Sequence, residues 1–503
     1  MGPYYGRFSV EKKRNLMKLD SYGIHWFRRD LRLDGNPALA ANLKEHQGRV
    51  LGLFCFDHKF LSRPDFSVNR FQFFLETMQH LRDDLTQRGG QLLVLDVGPK
   101  VAYQQLFDLL TKAGLSIPKT VSWNRDYEPF AVSRDGEMAQ WFKKQGVSVL
   151  TERDHLIIEP HEIYKGEDPS ATYQVFTPFK KRWIEKFATE EVQNRLRAPK
   201  LVPFNLTWDR LLGGTVKLED QLERYSTENR GKVNIKIPES GGAEAMKALH
   251  VFKPKVKNYG STRDIPSLAG TSRFSLFFKN GSLTTSQVIR EMRLQNLNQW
   301  NDGEAKFVSE LIWREFYYYI LARNPRVERE SFNPLYKDIA WKNNTNWFKA
   351  WKEGRTGFPI VDAGMRELNE TGWMHNRVRM IVASFLTKDL HIDWRWGEQY
   401  FMEKLLDGDL APNNGGWQWA ASTGCDPQPY FRVFNPYLQS QKFDPDGVYI
   451  KRYIPELKDC PTKLIHEPPQ DLMNRNYPAP IVDHSVQRLE AIALYKFKPP
   501  QKT

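Results

Sequence analysis

Hydrophobic residues in the first 150 positions follow two patterns, short apolar runs and longer stripes at helical spacing. The runs predict five β-strands, at residues 22–27, 50–56, 91–96, 120–124 and 147–151. Residues 69–88 place apolar side chains on one helical face, and Gly89 and Gly90 predict the end of that helix. Strands that alternate with helices of this length predict an α/β domain with a doubly wound parallel sheet.

The rest of the chain favours helices. Residues 154–255 have a loose pattern rich in proline and charge, which we interpret as an inter-domain connection that carries some helix. Beyond it, glycines and prolines separate long helical periods, of which 308–321 and 364–390 are the clearest. The predicted domains are a flexible basic extension (1–20), an α/β domain (21–153), the connection (154–255) and an all-helical C-terminal domain (256–503).

Composition narrows the class of protein. The net charge is +13, which favours a polyanionic partner such as nucleic acid. The three cysteines are widely separated, which argues against disulfide, zinc and four-cysteine iron–sulfur frameworks, so we expect no metal. No apolar run approaches a membrane span of about 20 residues, and residues 1–20 lack an apolar signal core. We therefore expect a cytoplasmic protein with no membrane partner.

Ten of the 15 tryptophans lie between Trp300 and Trp419, in the predicted helical domain. Residues 407–419 combine acids, an adjacent amide pair, a Gly-Gly pair and two tryptophans, a mixture that suits a planar cofactor better than a plain core. Upstream, the hydroxyl-rich run 271–275 could hold a diphosphate or simply cap a helix.

Two further motifs fall on predicted helices. Glu310, Trp313 and Arg314 share one helical face, which can mean a surface ion pair beside a core tryptophan or a binding site. The run 372–380 contains Arg379, which we expect to pair with Asp407, because a desolvated guanidinium needs a hydrogen-bonded anion. His375 in the same run is a structural residue or a catalytic one.

In this order the motifs resemble those of the photolyase/cryptochrome family, and the match is close to class I photolyases for cyclobutane pyrimidine dimers. The resemblance covers about residues 21–460 and is strongest over 271–436. It implies an α/β antenna-binding domain and a helical domain that binds FAD, fully reduced in the active form. By resemblance, these residues bind FAD: Tyr259, Thr271, Ser272, Arg273, Phe274, Ser275, Arg314, Trp373, Asn376, Arg379, Asp407, Gly408 and Asp409.

The resemblance also implies a lesion pocket. Glu310 matches a residue that hydrogen-bonds the dimer, and Asn413 matches the residue that faces flavin N5. The residues that match substrate or DNA contacts are Arg263, Trp313, Arg377, Met380, Trp419, Arg432 and Gln439. Relatives that repair six-four photoproducts have histidines at the positions of Asn376 and Met380, so these two residues favour the cyclobutane dimer.

Two light-related assignments complete the resemblance. Trp417, Trp394 and Trp341 match the tryptophans through which photolyases reduce their flavin, although spacing alone equally fits packing. Asn124, Asp126 and Glu128 follow the fourth strand, at the end of the sheet where ligands bind in such folds. The family uses this region for an antenna, a folate or a deazaflavin, and the motif does not decide between them.

The predicted function is light-driven repair of cyclobutane pyrimidine dimers in DNA by electron transfer from photoexcited reduced FAD. The enzyme is expected to be a monomeric deoxyribodipyrimidine photo-lyase that extrudes the lesion from the stack. The alternative is a cryptochrome-type blue-light photoreceptor without repair activity, for which a long tail and an Asp at position 413 would be expected. A six-four photolyase is a third possibility, disfavoured by Asn376 and Met380.

Overall fold

The computed structural model describes residues 9–10, 21–213, 216–217, 220–469 and 477–496. The predicted extension 1–20 lies outside these residues, apart from positions 9 and 10. The chain divides into two compact units. The first unit spans Met1–Glu159, Lys186–His250 and Arg273–Leu297, and the second spans Pro160–Glu185, Val251–Ser272 and Asn298–Thr503. The units thus interleave along the chain, and the domain boundaries at 153 and 255 stay predictions.

The first unit is built on a parallel sheet. The strands are β1 (Ser9–Val10), β2 (Gly23–Trp26), β3 (Val50–Cys55), β4 (Leu92–Leu95), β5 (Thr120–Asn124), β6 (Ser148–Glu152) and β7 (Val216–Lys217). Five of them form one sheet in the order β4-β3-β2-β5-β6, and every neighbouring pair is parallel. Strands β1 and β7 pair antiparallel in a separate two-stranded sheet. The predicted doubly wound parallel sheet is confirmed.

Side chains of the sheet alternate between two apolar layers, because successive residues of a strand point to opposite faces. In β3, Leu51 and Leu53 join one buried cluster, whereas Val50 and Phe54 join the other. Both faces are therefore covered, as parallel sheets require, and the strands read as continuous apolar runs in the sequence.

The helices that alternate with these strands begin and end at clear sequence signals. They are α1 (Pro37–Glu45), α2 (His58–Leu61), α3 (Val68–Gln87), α4 (Pro99–Lys112) and α5 (Pro129–Lys144). The Ser67 side chain accepts a hydrogen bond from the backbone N–H of Arg70 and caps α3. After α3, Gly89 takes a φ of 80°, which glycine adopts readily. The helix predicted at 69–88 is confirmed to within one residue at each end.

The predicted connection between domains carries helices too. It contains α6 (Phe176–Phe187), α7 (Glu190–Arg195), α8 (Trp208–Leu212), α9 (Leu222–Arg230) and α10 (Gly241–Phe252). Three short helices follow, α11 (Tyr259–Thr262), α12 (Ser275–Asn280) and α13 (Thr285–Glu291). Short 3₁₀ segments occur at Lys253–Asn258, Leu297–Gln299, Pro325–Glu328, Pro334–Tyr336 and Pro455–Leu457.

The second unit is helical. Its longer elements are α14 (Asp302–Arg323), α15 (Thr345–Glu353), α16 (Pro359–Thr371), α17 (Asn376–Ser384), α18 (Trp394–Lys404), α19 (Leu410–Ala420), α20 (Pro436–Phe443), α21 (Val448–Tyr453) and α22 (His484–Leu494). Helices α15 to α21 share one buried apolar cluster that includes Trp351, Trp394 and Trp417. Among the residues that the structure describes, no helix has the length and apolar character needed to span a membrane.

The prediction of one helix over 364–390 is wrong. Helix α16 ends at Gly372, which takes a left-handed φ of 68°, and α17 begins after His375. A π-helical turn, Phe385–Asp389, then follows α17. Glycine adopts the left-handed conformation without the steric cost that other residues pay, so Gly372 ends the helix even though the apolar periodicity runs through it.

Candidate functional site

Helix α19 carries three of the predicted site residues, Asn413, Trp417 and Trp419, and follows the predicted flavin contacts Asp407, Gly408 and Asp409. Asp409 is the N-cap of α19 and is buried. Its carboxylate accepts a hydrogen bond from Tyr318 Oη on α14, 2.7 Å away. The guanidinium of Arg314 lies 4.0 Å from the same carboxylate and over the Tyr318 ring. Two predicted flavin residues, Arg314 and Asp409, therefore lie side by side.

Asn413 is anchored by its neighbour helix. Its amide nitrogen donates to the backbone carbonyl of Glu398 on α18 at 3.1 Å. The adjacent Asn414 donates to the Glu398 carboxylate at 2.9 Å. Because the Asn413 nitrogen already has an acceptor, its amide oxygen is the end left for another donor.

The predicted pair of Arg379 and Asp407 is confirmed. Arg379 Nη2 donates to both Asp407 carboxylate oxygens, at 2.8 and 3.1 Å, and Arg379 Nε donates to the carbonyl of Met374. Asp407 is 5% exposed, so a buried carboxylate receives the charge-assisted hydrogen bonds it needs. The pair joins α17 to the segment before α19.

His375 acts as a helix cap. Its Nδ1 accepts a hydrogen bond from the backbone N–H of Arg377, the first turn of α17. Burial lowers the pKa of His375 to about 4, so the imidazole is neutral at pH 7 and carries its proton on Nε2. Nε2 is buried and has no hydrogen-bond partner among the described residues.

Asn376 and Met380, the two residues that favour the cyclobutane dimer, are neighbours on α17. The Asn376 amide nitrogen lies 3.7 Å from the Met380 sulfur. Asn376 is exposed and Met380 half-buried. Neither side chain titrates near neutral pH, so this face of α17 offers no proton donor of the kind that histidines would supply.

Two predicted DNA contacts are ion-paired in the second unit. Arg263 forms a close pair with Glu310, and it also lies over the Tyr259 ring. Arg377 donates to the carboxylate of Asp264 at 2.8 Å. The adjacent residues Arg263 and Asp264 thus tie the loop after α11 to α14 and α17. Sequence reasoning missed Asp264, although an acid beside a predicted DNA-binding arginine was a usable signal.

Trp313 is stacked on an aromatic ring from another helix. The rings of Trp313 and Phe176 lie parallel, with their centroids 3.6 Å apart and an interplanar angle of 10°. Trp419, the other predicted wall of the lesion pocket, packs partly buried against the apolar cluster of the second unit. Phe176 was missed because it lies in the loosely patterned connection.

The three tryptophans of the predicted electron path differ in burial. Trp394 and Trp417 are buried in the same apolar cluster, and Trp341 packs against it half-buried. The indole nitrogens of Trp394 and Trp417 have no hydrogen-bond partner in the described part of the chain. Gly397 of α18 lies against the Trp417 ring so closely that a Cβ there would be 2.1 Å from it.

The remaining predicted residues fall in both units. Tyr259 and Trp373 are buried in the second unit, where Arg432 is exposed and Gln439 of α20 is half-buried. The run 271–275 crosses the division: Thr271 and Ser272 belong to the second unit, whereas Arg273, Phe274 and Ser275 belong to the first. Arg273 has a φ of 54°, an uncommon value for a residue with a side chain.

The predicted antenna residues lie in a polar cluster of the first unit. Both ends of the Asn124 amide bond protein groups: its nitrogen donates to Asp30 and Asn36, and its oxygen accepts from a backbone N–H. Burial acts to raise the pKa of Asp126, but nearby positive charge, above all that of Arg29, outweighs it and lowers that pKa. Glu128 accepts a hydrogen bond from Arg29 at 2.9 Å. The structure brings these residues together and gives each a partner within the protein.

Comparison with known proteins agrees with this architecture. Residues 23–200 match the family model described as DNA photolyase, and residues 307–497 match the one described as the FAD binding domain of DNA photolyase. A parallel α/β unit with a matching FAD-binding helical region defines a flavoprotein of the photolyase/cryptochrome type. A deoxyribodipyrimidine photo-lyase from Synechococcus is 38% identical over 94% of this chain and 96% of the relative. The chain belongs to the DNA photolyase family, and the predicted enzyme class is confirmed.

Solved structures show the same fold. A bacterial class III photolyase from Agrobacterium tumefaciens has a TM-score of 0.81 and 33% identity, covering 96% of this chain and 98% of its own. A cryptochrome from Synechocystis also has a TM-score of 0.81, at 26% identity, with 95% and 100% coverage. The fold is therefore common to repair enzymes and a cryptochrome, and the choice between them depends on the site residues.

The residues of the second unit fit a bound flavin dinucleotide. The paired Arg379 and Asp407, the available oxygen of Asn413 and the hydroxyls of Thr271 and Ser272 supply the hydrogen-bonding groups that a flavin ring and its phosphates need. The buried Nε2–H of His375, which has no acceptor within the described protein, is a donor that a ligand can use.

Proposed function

We propose that this enzyme repairs cyclobutane pyrimidine dimers in DNA, using light. The observation that carries the proposal is the packing of α14 against α19, so close that a Cβ on Gly415 would lie 2.0 Å from the Tyr317 ring. Helix α14 carries the lesion candidates Glu310 and Trp313, and α19 carries the flavin candidate Asn413. One rigid pair of helices can therefore hold both lesion and cofactor, as electron transfer over a short distance requires.

The cofactor of the proposed reaction is FAD in its fully reduced state. Arg379 with Asp407, Asn376, Arg314 with Asp409, and Asn413 would hold it in the second unit, with the hydroxyls of Thr271 and Ser272 on its phosphates. When bound, FAD supplies the blue-light absorption and the electron that the dimer receives and returns. An amide at position 413 offers no titratable proton, which favours a stable reduced cofactor.

The lesion would be held by residues of α14, α17 and α19. Trp313 and Trp419 offer apolar faces to the saturated ring pair, and Glu310 offers a carboxylate to its polar edge. Asn376 and Met380 present no acid to the substrate. Opening of a cyclobutane ring requires an electron but no added proton, whereas a six-four adduct also needs proton transfer. The absence of a proton donor therefore favours the cyclobutane dimer.

Trp417, Trp394 and Trp341 are proposed as the path by which oxidised cofactor is reduced under light. Two of them are buried with indole N–H groups that have no acceptor in the described chain. An oxidised indole that has no acceptor for its proton stays positively charged, so the next tryptophan can still donate an electron to it. Trp341 is half-buried and is therefore the member of the path best placed to lose a proton to solvent. This arrangement favours electron flow from Trp341 inward.

For the antenna we propose a folate or a deazaflavin held in the first unit. The support is the position of Asp126 and Glu128 just beyond the carboxyl end of β5, where ligands of parallel sheets bind. Arg29 holds Glu128 there and lies within 3.9 Å of Asp126. Extraction of the purified protein and identification of any second chromophore by mass spectrometry tests this proposal.

The experiment that tests the function compares two lesions in otherwise identical duplexes. Enzyme reduced beforehand and kept anaerobic is illuminated with one blue lamp on a duplex with a cyclobutane dimer and on one with a six-four photoproduct. We expect dimer repair, and six-four repair slower by at least 10²–10⁴-fold, the usual worth of general acid catalysis. Efficient six-four repair would contradict the assignment, and repair of neither lesion would favour the cryptochrome-type photoreceptor.

A further inference from the structure

Trp313 is half-buried on helix α14. Phe176 covers one face of its indole at a centroid distance of 3.6 Å with nearly parallel rings. Phe176 is itself 7% exposed, so the stack is a built contact and not a chance approach of mobile side chains. Phe316 and Tyr317 meet the Trp313 ring at centroid distances of 5.7 and 5.6 Å.

Phe176 is held in place from helix α14. In α6, Trp183 donates from its indole nitrogen to the buried carboxylate of Glu315 at 2.6 Å. Lys180 donates to Ser309 Oγ at 3.1 Å, so α6 is attached to α14 on both sides of Trp313 in the sequence. Phe179, one turn after Phe176, packs on Phe316.

Phe176 is also held from the loop after α19. Its backbone N–H donates to the Asp426 carboxylate at 3.0 Å. One residue earlier in that loop, Cys425 Sγ donates to the carbonyl of Gln174 at 2.8 Å. The first residue of α6 is therefore tied both to the helix that carries Trp313 and to the loop that follows Trp419.

We propose that Phe176 is a positioning residue for Trp313, and this inference rests on the proposed function. By occupying one face of the indole, Phe176 fixes its plane and presents the opposite face to the extruded dimer. An indole that is already fixed before binding loses little conformational entropy when the lesion stacks on it. The smaller entropy cost makes binding of the dimer tighter. Phe176 acts only through Trp313 and is assigned no contact with the lesion.

The test uses FAD-loaded enzyme and two labelled duplexes, one with a cyclobutane dimer and one intact. Phe176→Leu keeps a buried apolar side chain but removes the flat ring, and Phe176→Tyr keeps the ring. We expect F176L to weaken dimer binding by about 2- to 12-fold, the usual worth of an aromatic pair. Affinity for intact DNA, FAD content and the repair rate at saturating dimer should stay unchanged, and F176Y should restore dimer affinity.

Two further variants separate positioning from a general packing effect. Phe187→Leu makes the same substitution at the buried last residue of α6, so it should leave dimer affinity unchanged. In a Trp313→Ala background, F176L should have no further effect on dimer affinity, because the two residues act as a unit.

The outcomes distinguish this inference from the proposed function. Wild-type affinity of F176L for the dimer, an equal loss on intact DNA, or additive losses in the W313A background would overturn the positioning role while leaving repair in place. If wild-type enzyme neither prefers nor repairs the dimer, the proposed function fails, and the inference fails with it.

Discussion

Arg263 and Glu310 are paired with each other in the second unit, although the family resemblance assigns one to the DNA backbone and the other to the dimer. The Glu310 side chain is 33% exposed in this pair, so solvent and DNA can reach it. A DNA phosphate can therefore compete for Arg263, and the lesion for Glu310. We infer that the pair holds both side chains in place until DNA arrives.

The pairing makes a prediction for Glu310→Gln. The variant keeps a neutral hydrogen bond to the lesion but loses the charge, so dimer repair should fall roughly tenfold, the difference between a charged and a neutral hydrogen bond of about 1–1.5 kcal/mol. Arg263 loses this partner at the same time. Affinity for intact DNA should therefore rise, because Arg263 no longer has to break the ion pair to reach a phosphate, while the logarithmic salt slope stays as in the wild type.

The control for this prediction is the double variant E310Q/R263Q. It removes the released cation, so the gain in affinity should disappear and the salt slope should become shallower by about 0.9, while the repair defect remains. Both quantities come from binding titrations on an intact duplex at several salt concentrations and from repair assays on one lesion. An unchanged affinity of E310Q for intact DNA would show that Arg263 is not available to phosphate.

Single residues show where sequence reasoning works and where it stops. The Arg379–Asp407 pair was predictable, because a desolvated guanidinium needs an anion and the resemblance supplied one. The pairing of Arg377 with Asp264, and the Trp313–Phe176 stack, join residues far apart in the chain. Periodicity carries no information about such long-range contacts, so it predicts neither pairing.

At the scale of elements, the break between α16 and α17 places His375 as a cap. Burial lowers the pKa of His375 from 6.5 to about 4. Between these two pH values the imidazole therefore binds a proton in the unfolded chain but stays neutral in the folded protein. The folded protein is therefore destabilised as the pH falls from 6.5 to 4, whereas above pH 6.5 the neutral His375 costs it no stability. The lowered pKa corresponds to a loss of about 3 kcal/mol at most in the free energy of unfolding.

His375→Asn tests this linkage. Asparagine is a good N-cap, so helix α17 should keep its first turn, while the titrating group is gone. Denaturant unfolding of the variant should show a shallower loss of stability between pH 6.5 and 4 than the wild type. His250→Asn, at an exposed position in α10, is the control and should behave as wild type. An equal pH dependence in H375N would assign the acid lability to other groups.

The three tryptophans of the proposed electron path belong to different parts of the helical unit. Trp341 precedes α15, Trp394 begins α18 and Trp417 lies in α19. Replacing Trp394 or Trp341 with Phe should impair photoreduction of oxidised flavin but spare repair by enzyme reduced beforehand. Transient absorption and a single-lesion repair assay measure the two activities. Equal loss of both would mean that these rings serve folding or flavin binding, and no loss would mean that the path is bypassed.

Elements of regular pattern were predicted well, and irregular ones were not. Strand β5 was placed correctly because continuous apolar runs are typical of strands buried on both faces. The π-helical turn Phe385–Asp389 was hidden, because its buried Lys388 and Asp389 sit in positions that periodicity reads as ordinary helix. Lys388 donates to Ser422 Oγ, a partner that only the folded chain supplies.

At the scale of the whole molecule, the charge of +13 is the property that bears most directly on DNA. Arg263 and Arg377 are engaged with acids, whereas Arg432 is exposed. Phosphate contacts by the first two must therefore replace ion pairs, whereas Arg432 forms no ion pair with an acid among the residues that the structure describes. We expect the exposed arginine to contribute more to non-specific affinity than either paired one.

Salt dependence tests this distribution of charge. Affinity for intact DNA should fall steeply with salt, with a logarithmic slope of about −0.9 for each phosphate neutralised, and Arg432→Gln should make the slope shallower by about that amount. The preference for damaged DNA should persist through the fall, because it comes from pocket contacts and from the weakened pairing of a damaged step, not from released counterions. Binding titrations of both duplexes from low to physiological salt measure the slope and the preference together.

Equal affinity for damaged and intact duplex at every salt concentration would contradict the proposed pocket. A preference for the damaged duplex that vanishes only at high salt would mean that the discrimination between the two duplexes is itself electrostatic.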